Sequence, residues 1–355
     1  MSRARTAGLA GAAVGLLGAG VAVGLAAERA LVRRERHGPD AEAGEPLGLL
    51  HTAPRTVPAD DGVPLRVEVD GDPDAALTVV FVHGFVLTMD SWHYQRRDLR
   101  DVARLVFYDQ RGHGASGRGP REHATIDQLG RDLGSVLDAV APRGRVVLVG
   151  HSMGGMTVMA LAQQRPELLG TRVAGVVFMS TSPGKVAEAV FGIPTLAGRV
   201  LRPLGPGLLR GLDRRASLIE RGRRSQSDLA YVLVRRYGFG SPVPPAVVDH
   251  LARMVASTPF DVMSEFFPTF VDHDKLAVLP AFAAVPTVVL AGEDDLLTPA
   301  EHSRAIAAAV PGSELVLLAD AGHMVMLERP ALVNLHLRAF LRRVGGTRRR
   351  RAASA

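Results

Sequence analysis

The sequence predicts an α/β fold in which a mainly parallel sheet is covered by helices on both faces. Short runs of β-branched and apolar residues recur along the chain, and longer amphipathic stretches separate them. Most of these runs are continuously apolar, as expected of strands that are buried on both sides. The alternation lapses over residues 184–285, where Pro and Gly interrupt short apolar helical patterns. We therefore predict one α/β core that carries a helical insertion, or cap.

The individual elements follow from these patterns. Seven strands are predicted, and they are Leu65–Val69, Thr78–Val82, Arg104–Tyr108, Val146–Val149, Val173–Met179, Thr287–Leu290 and Glu314–Leu318. Helices are predicted at Ile126–Val140, Met153–Gln164 and Ala331–Arg343, and Thr125 is a candidate N-cap for the first of them. The α/β core is thus expected to comprise residues 51–183 and 286–345.

The two ends of the chain depart from this pattern. Within residues 1–36, the uncharged apolar stretch 7–27 is about as long as a helix that crosses a bilayer, so we expect a single-pass membrane anchor. A cleaved signal peptide followed by secretion and a soluble terminus are the alternatives. The flanking arginines do not fix the side of the membrane on which the catalytic domain lies. Polar residues 37–50 predict a linker, and residues 346–355 predict a glycine break with a solvated basic tail.

Composition and charge exclude several classes of function. The 355-residue chain has no cysteine, which excludes disulfides, cysteine nucleophiles and thiolate metal sites. Its net charge of +6 comes from the two ends, since residues 1–36 hold six arginines against two glutamates and residues 348–351 are all arginine. The body between them lacks a basic excess, so nucleic-acid binding is not expected.

The strongest chemical signal is a serine in a tight turn between a strand and a helix. The sequence GHSMG at residues 150–154 follows strand Val146–Val149 directly, and a helical pattern begins at once. The order strand, tight turn and helix is the one that the GxSxG nucleophile elbow requires. The two glycines are needed because larger side chains at either position would collide within the strained turn. We predict that Ser152 is a nucleophile.

A serine hydroxyl needs a general base, which must come from elsewhere in the chain. His323 follows strand Glu314–Leu318. It therefore lies at the carboxyl end of a strand, where the active sites of open α/β sheets are found. The order serine, acid, histidine along the chain favours His323 over the other candidates. Those candidates are His83, His113, His250 and His273.

The acid that orients this histidine is expected where strand Thr287–Leu290 ends, in the sequence GEDDLLTP. We favour Asp295, which lies three residues past Gly292 and four before Pro299 and is expected to turn inward over the sheet. The alternatives are Glu293, Asp294 and Asp320.

Two backbone N–H groups are expected to bind the oxyanion of a tetrahedral intermediate. One belongs to Met153, directly after the nucleophile, and the other to Phe85, in the loop after strand Thr78–Val82. Gly84 would let that loop approach closely. A structural role that fixes the loop is expected for His83.

Five segments resemble the α/β-hydrolase superfamily, in the group of capped esterases, lipases and haloperoxidase-like enzymes. In chain order they are VVFVHGF, VFYDQRGHGASG, LVGHSMGG, VLAGEDDLLTP and AGHMVMLERP, and the resemblance covers about residues 57–345. The resemblance implies an eight-stranded type of sheet, with a cap that follows Ser180–Pro183 and shapes the substrate pocket. It also implies that Asp295 is the triad acid and that Asp109 and Arg111 belong to a structural turn.

These features predict a serine hydrolase that forms an acyl-enzyme, with an ester of a hydrophobic small molecule as substrate and with no cofactor or metal. Enzymes of this fold that use an aspartate nucleophile are disfavoured by Ser152. A C–C bond hydrolase, an acyltransferase and a perhydrolase would keep the same triad, and a non-catalytic binding protein is an alternative of another class. Phe266, Phe267 and Phe270 are candidates for an apolar pocket, although packing between cap helices explains at least some of them.

Overall fold

Eight strands form one sheet at the centre of the molecule. The computed structural model describes residues 39–142, 144–184 and 228–352. The strands are β1 (Arg55–Pro58), β2 (Pro64–Gly71), β3 (Leu77–Val82), β4 (Arg104–Tyr108), β5 (Arg145–His151), β6 (Val173–Met179), β7 (Thr287–Gly292) and β8 (Glu314–Leu318). Their order is β1-β2-β4-β3-β5-β6-β7-β8. β2 pairs antiparallel with both β1 and β4, and all the other neighbouring strands pair in parallel, which confirms the predicted mainly parallel α/β fold.

Burial explains which strands the sequence reveals. β3 and β6 are buried along their whole length, because helices cover both faces of the sheet, and apart from Thr78 in β3 their sequences are apolar. All seven predicted strands are present. The sequence missed β1, whose four residues are mostly exposed and pair with β2 alone. A short edge strand of this kind buries too little to leave an apolar pattern.

Helices cover the two faces of this sheet. They are α1 (His93–Leu99), α2 (Ile126–Val140), α3 (Met153–Gln164), α4 (Asp228–Gly238), α5 (Pro245–Ser257), α6 (Phe260–Asp272), α7 (Ala300–Ala309), α8 (Val325–Glu328) and α9 (Pro330–Ala352). One apolar layer joins the sheet to α2, α3 and α7, and the other joins it to α1, α8 and α9. α2 begins as predicted, since the hydroxyl of Thr125 accepts a hydrogen bond from the N–H of Gln128 at 3.1 Å.

The last helix is longer than the sequence predicts. We expected a break at the glycines before the basic tail, but α9 continues through Gly345 and Gly346 to Ala352. Glycine disfavours a helix by about 1 kcal/mol relative to alanine, yet it keeps its N–H and leaves the hydrogen-bond ladder intact. The two glycines therefore weaken the helix without ending it.

Residues 39–50, which belong to the predicted linker, lie against the folded domain. The carboxylate of Asp40 accepts a hydrogen bond from the N–H of Ala246 in α5 at 2.9 Å. The carboxylate of Glu45 contacts Nε2 of the buried His93 at 2.7 Å, and Leu47 is buried in the core. This segment therefore bridges the cap and the core.

A buried network of charged side chains holds the backbone at Leu50 and Thr52, where this segment leads into β1. Glu68 on β2 has no exposed surface and accepts hydrogen bonds from Arg66 and Arg96, each at 2.6 Å. It also accepts one from the N–H of Thr52 at 3.1 Å, and Arg96 donates to the carbonyl of Leu50. Both arginines thus neutralise a carboxylate that would be costly to bury alone.

The described part of the insertion is helical, as predicted, and comprises α4, α5 and α6. On α6, Val262, Phe266 and Phe270 recur at four-residue spacing and pack toward Met153 and Met156 of α3. These contacts hold the cap over the carboxyl ends of the central strands. Residues 185–227 of the predicted cap lie outside the described residues.

The predicted membrane anchor at residues 7–27 also lies outside the described residues. Within the ranges that the structure describes, no helix combines the length and the hydropathy needed to cross a bilayer.

Candidate active site

Ser152 lies in a strained turn where β5 passes into α3. Its φ of 51° falls in the left-handed region that non-glycine residues rarely adopt. Its N–H donates to the carbonyl of Met179 at 3.0 Å, which ties the turn to β6. A Cβ atom on Gly154 would overlap the carbonyl oxygen of Val82, and one on Gly150 would lie 2.6 Å from the carbonyl oxygen of Gly154. Both glycines of the predicted elbow are therefore sterically required.

His323 and Asp295 meet at the carboxyl ends of β8 and β7. Nδ1–H of His323 donates to Oδ2 of Asp295 at 2.9 Å, and both side chains are buried. A neutral imidazole with its proton on Nδ1 has an unprotonated Nε2, which is the form that a general base requires. Burial would raise the pKa of Asp295, but the positive charge that His323 carries when protonated, together with the hydrogen bonds from His323 and Thr298, outweighs burial and lowers that pKa.

The other candidate acids lie in different surroundings. Glu293, Asp294 and Asp320 are exposed, whereas Asp295 is 3% exposed. The sequence left the choice between neighbouring carboxylates open because each follows β7 within a few residues. The structure brings only Asp295 of these four into hydrogen-bond contact with His323.

The competing histidines are buried and neutral. Burial lowers the pKa of His83, His250 and His273 to about 4 and that of His113 to about 3. None of the four lines the cavity that contains Ser152. His83 makes the structural contacts expected of it, because Nδ1–H donates to the carbonyl of Gly84 at 2.7 Å and Nε2 accepts from a neighbouring backbone N–H.

His151, directly before the serine, contacts the loop of His323. Its Nε2–H donates to the carbonyl oxygen of His323 at 3.0 Å, and the two rings lie 4.7 Å apart. Burial lowers the pKa of His151 to about 3, so the ring stays neutral. No local sequence pattern indicates this contact, since the two residues are 172 positions apart.

The two predicted oxyanion donors flank the serine. Met153 is the first residue of α3, and Phe85 follows β3 in a loop that touches the elbow. A Cβ atom on Gly84 would lie 2.8 Å from Nδ1 of His151 and 3.1 Å from Cβ of Ser152, so only glycine allows this approach. Both backbone amides therefore lie on elements that meet at Ser152.

Ser152 and His323 line one cavity of about 270 Å³. Its walls come from the core and from the cap helices α4, α5 and α6, and they are mainly apolar. The apolar lining includes Leu87, Met156, Val234, Leu251, Phe270 and Met324. Among the described residues, no lysine, arginine, aspartate or glutamate lines it. Of the three phenylalanines that the sequence proposed, Phe267 and Phe270 line the cavity, whereas Phe266 packs in the core beneath it.

Thr298 is a site residue that sequence reasoning missed. Its hydroxyl donates to Oδ2 of Asp295 at 2.8 Å, and its N–H donates to Oδ1 at 2.9 Å. The N–H of Leu297 donates to the same Oδ1 at 2.8 Å. The spacing Asp-x-x-Thr is a local signal that could have identified it, because these side chains commonly bond to nearby backbone.

A comparison of the sequence with protein families agrees with this geometry. Residues 78–330 match the family model described as the alpha/beta hydrolase fold. The chain belongs to the α/β-hydrolase family.

Three individual relatives of this α/β hydrolase share 26% to 28% of their aligned residues with it. The dihydrolipoyllysine-residue acetyltransferase component of the acetoin cleaving system of Pseudomonas putida is 27% identical, over 75% of this chain and 63% of that protein. The chain thus spans less than two thirds of that relative. A non-heme chloroperoxidase of Streptomyces lividans is 28% identical, over 81% of this chain and 99% of that protein. The structure of a thermophilic esterase from Thermogutta terrifontis, malate bound, superposes with a TM-score of 0.63 and 26% identity, over 83% of this chain and 100% of that chain.

The turn after β4 is structural in this α/β hydrolase. Asp109 is buried and accepts hydrogen bonds from the N–H groups of Met89 and Ala115 at 2.8 and 2.9 Å. Arg111 is also buried, and its guanidinium pairs with Asp132 at 2.5 Å. Neither Asp109 nor Arg111 lines the cavity of Ser152.

Proposed function

We propose that this protein is a serine hydrolase that cleaves carboxylic esters of hydrophobic small molecules. One observation carries the proposal: a serine in a strained elbow and a histidine held by a buried aspartate line the same apolar cavity. Because the hydroxyl proton of a serine is only weakly acidic, Ser152 needs this histidine as a base to become a nucleophile.

In the proposed mechanism, Nε2 of His323 takes the proton of Ser152 as the hydroxyl attacks the ester carbonyl. Asp295 holds the imidazole in the required tautomer and stabilises its positive charge. The N–H groups of Met153 and Phe85 donate to the oxyanion, each worth roughly 3 kcal/mol in such sites. His323 then protonates the leaving alcohol, and water activated by the same imidazole releases the acid.

The expected substrate is uncharged and apolar near the scissile bond. The lining favours such groups, since the described walls offer hydrocarbon and no charged side chain to a bound acyl or alcohol chain. A cavity of about 270 Å³ suits a chain of moderate length. The esterase among the structural relatives supports ester cleavage in particular.

Labelling with a fluorophosphonate probe tests the nucleophile. We expect the purified protein to be labelled, the Ser152→Ala variant to be unlabelled, and a Ser135→Ala control on α2 to be labelled like the wild type. Absence of labelling in the folded wild-type protein would refute the serine hydrolase proposal.

A panel of p-nitrophenyl esters tests the substrate class. We expect kcat/KM to rise from acetate toward medium chains and then to fall as the chain exceeds the cavity. Succinate half-esters, which carry a carboxylate, should react at least tenfold more slowly than neutral esters of equal length, since a charge cannot be paired in this cavity. A flat profile across the panel argues against an esterase.

We further propose that residues 7–27 anchor the protein in a membrane. Their length and lack of charge support this, and the experiment is alkaline extraction of membranes from cells that express the full chain or a form lacking residues 1–36. Retention of the full chain alone is expected. Release of both forms into the soluble fraction would refute the anchor.

A further inference from the structure

Two loops meet with unusually close backbones beside the cavity. One follows α4 and contains Gly240, and the other precedes α8 and contains Gly322. A Cβ atom on Gly240 would lie 2.8 Å from the backbone nitrogen of Gly322, and one on Gly322 would lie 2.5 Å from that of Gly240. The N–H of Met324 donates to the carbonyl of Gly238 at 2.8 Å. The cap is thus joined directly to the loop that carries His323.

The carboxylate of Glu328 binds both loops at once. Glu328 ends α8 and is 7% exposed. Its Oε2 accepts from the N–H of Gly322 at 2.7 Å and from the N–H of Gly240 at 3.2 Å. Its Oε1 accepts from the N–H and from the hydroxyl of Ser241, both at 2.7 Å. These four donors are uncharged, and among the described residues no charged side chain pairs with this carboxylate.

We propose that Glu328 is a positioning residue that couples the cap to the general base. Gly322 directly precedes His323, while Gly238 and Met324 line the cavity on either side of the junction. The carboxylate therefore holds the base and one wall of the substrate pocket in a fixed relation. This inference rests on the proposed hydrolase function for its kinetic consequences, although the coupling itself does not.

An ionised carboxylate suits this position because it can only accept hydrogen bonds. Its four lone-pair sites match four donors, and bonds to a charged acceptor are roughly twice as strong as neutral ones. A glutamine would direct its NH₂ group at one pair of donors and leave those groups without an acceptor. Glu328→Gln should therefore break two of the four hydrogen bonds and loosen the junction through which both loops are held, while changing neither volume nor shape.

The kinetic test compares Glu328→Gln with the wild type on p-nitrophenyl acetate and p-nitrophenyl octanoate. A displacement of the base by about 1 Å costs about 100-fold in rate, so we expect kcat for the acetate to fall by about 10- to 100-fold. KM for the octanoate should rise as well, because the pocket wall moves. Glu45→Gln is the matched control, because the carboxylate of Glu45 accepts hydrogen bonds from His93 and Arg97, and neither of these partners lines the cavity or belongs to the two loops.

Ser241→Ala separates the two sides of the junction and is expected to fold normally. It removes one hydrogen bond on the cap side and leaves the bond to Gly322 intact. We expect KM for the octanoate to rise about threefold or more, with kcat for the acetate within twofold of the wild type.

Hydrogen exchange tests the coupling without reference to activity. In Glu328→Gln, peptides that contain residues 238–241 and 321–324 should both exchange at least about tenfold faster than in the wild type, and Glu45→Gln should leave them unchanged. Faster exchange in only one of the loops overturns the proposal. So do kinetic constants of Glu328→Gln within twofold of the wild type, or a loss that Glu45→Gln reproduces. If the wild type carries no reactive serine, the proposed function fails while the exchange experiment still decides the coupling.

Discussion

Replacing Asp295 by asparagine should disable the proposed base while preserving the fold. Oδ1 of Asp295 accepts two backbone hydrogen bonds, from Leu297 and Thr298, and Oδ2 accepts Nδ1–H of His323. An asparagine keeps the two backbone bonds only if its oxygen occupies the Oδ1 position. Its NH₂ group then faces His323, so that Nδ1 must accept and the proton moves to Nε2. In that tautomer Nε2, the atom that must take the proton of Ser152, carries a proton and has no free lone pair.

The alternative orientation of the amide is too costly to rescue activity. It would oppose the NH₂ group to two backbone N–H donors, and each unsatisfied buried donor costs about 1–3 kcal/mol. The wrong tautomer should therefore dominate. Loss of the correct tautomer in a Ser-His-Asp site lowers kcat by about 10⁴-fold, which corresponds to about 5 kcal/mol of transition-state stabilisation.

The assay is hydrolysis of a reactive p-nitrophenyl ester by Asp295→Asn, with the exposed neighbour Asp294→Asn as the matched control. We expect the control to retain kcat within about threefold, since its side chain is solvated. Circular dichroism should show the same fold and a similar melting temperature for both variants. Activity of Asp295→Asn within tenfold of the wild type, or a large loss in Asp294→Asn, would refute the assignment of the acid.

Three further outcomes are expected. Thr298→Val removes the hydroxyl bond to the buried aspartate and should lower kcat/KM about tenfold, whereas Thr298→Ser should restore it; equal activity of all three proteins would contradict this. Burial would raise the pKa of Glu68, but its two arginine partners lower it from 4.5 to about 2, so its stabilising contribution is complete above pH 4.5 and is lost as the pH falls through 2. Denaturation between pH 7 and 2 should show this loss in the wild type and not in Glu68→Gln, which should already be less stable at pH 7 by about 3–5 kcal/mol. Gly154→Ala should lower the free energy of unfolding by at least about 1–3 kcal/mol because the new methyl group meets a backbone carbonyl of β3, while Gly346→Ala, with open space around it, should not destabilise the protein.

Much of the fold could be predicted because strands and helices that are buried have recognisable apolar patterns in the sequence. Strands covered on both faces, such as β4 and β6, have the bounds that the sequence predicts. β1 escaped prediction because mostly exposed residues carry no such pattern. The packing of residues 39–50 escaped it for a different reason: single contacts such as Glu45 with His93 join distant parts of the chain and produce no periodicity.

In the candidate site, too, local sequence patterns predict some residues and miss others. Ser152 and His323 could be found because a turn geometry and a strand end dictate their positions. The choice among the acids depends on which carboxylate turns inward over the sheet, a property of the folded loop and not of its composition. The contacts of His151 and Glu328 form only when β5, β8 and the cap lie side by side in the folded protein. No local sequence pattern predicts these contacts.

The order of strands has a consequence for the timing of activity during synthesis. β5, with its serine, is near the middle of the chain and of the sheet, whereas β7 and β8 are added outward from β6 and are translated last. A nascent chain that has completed the elbow has neither base nor acid, and its hydroxyl is inert. In the proposed mechanism the serine therefore gains its acid and its base only once β7 and β8 have paired with the rest of the sheet.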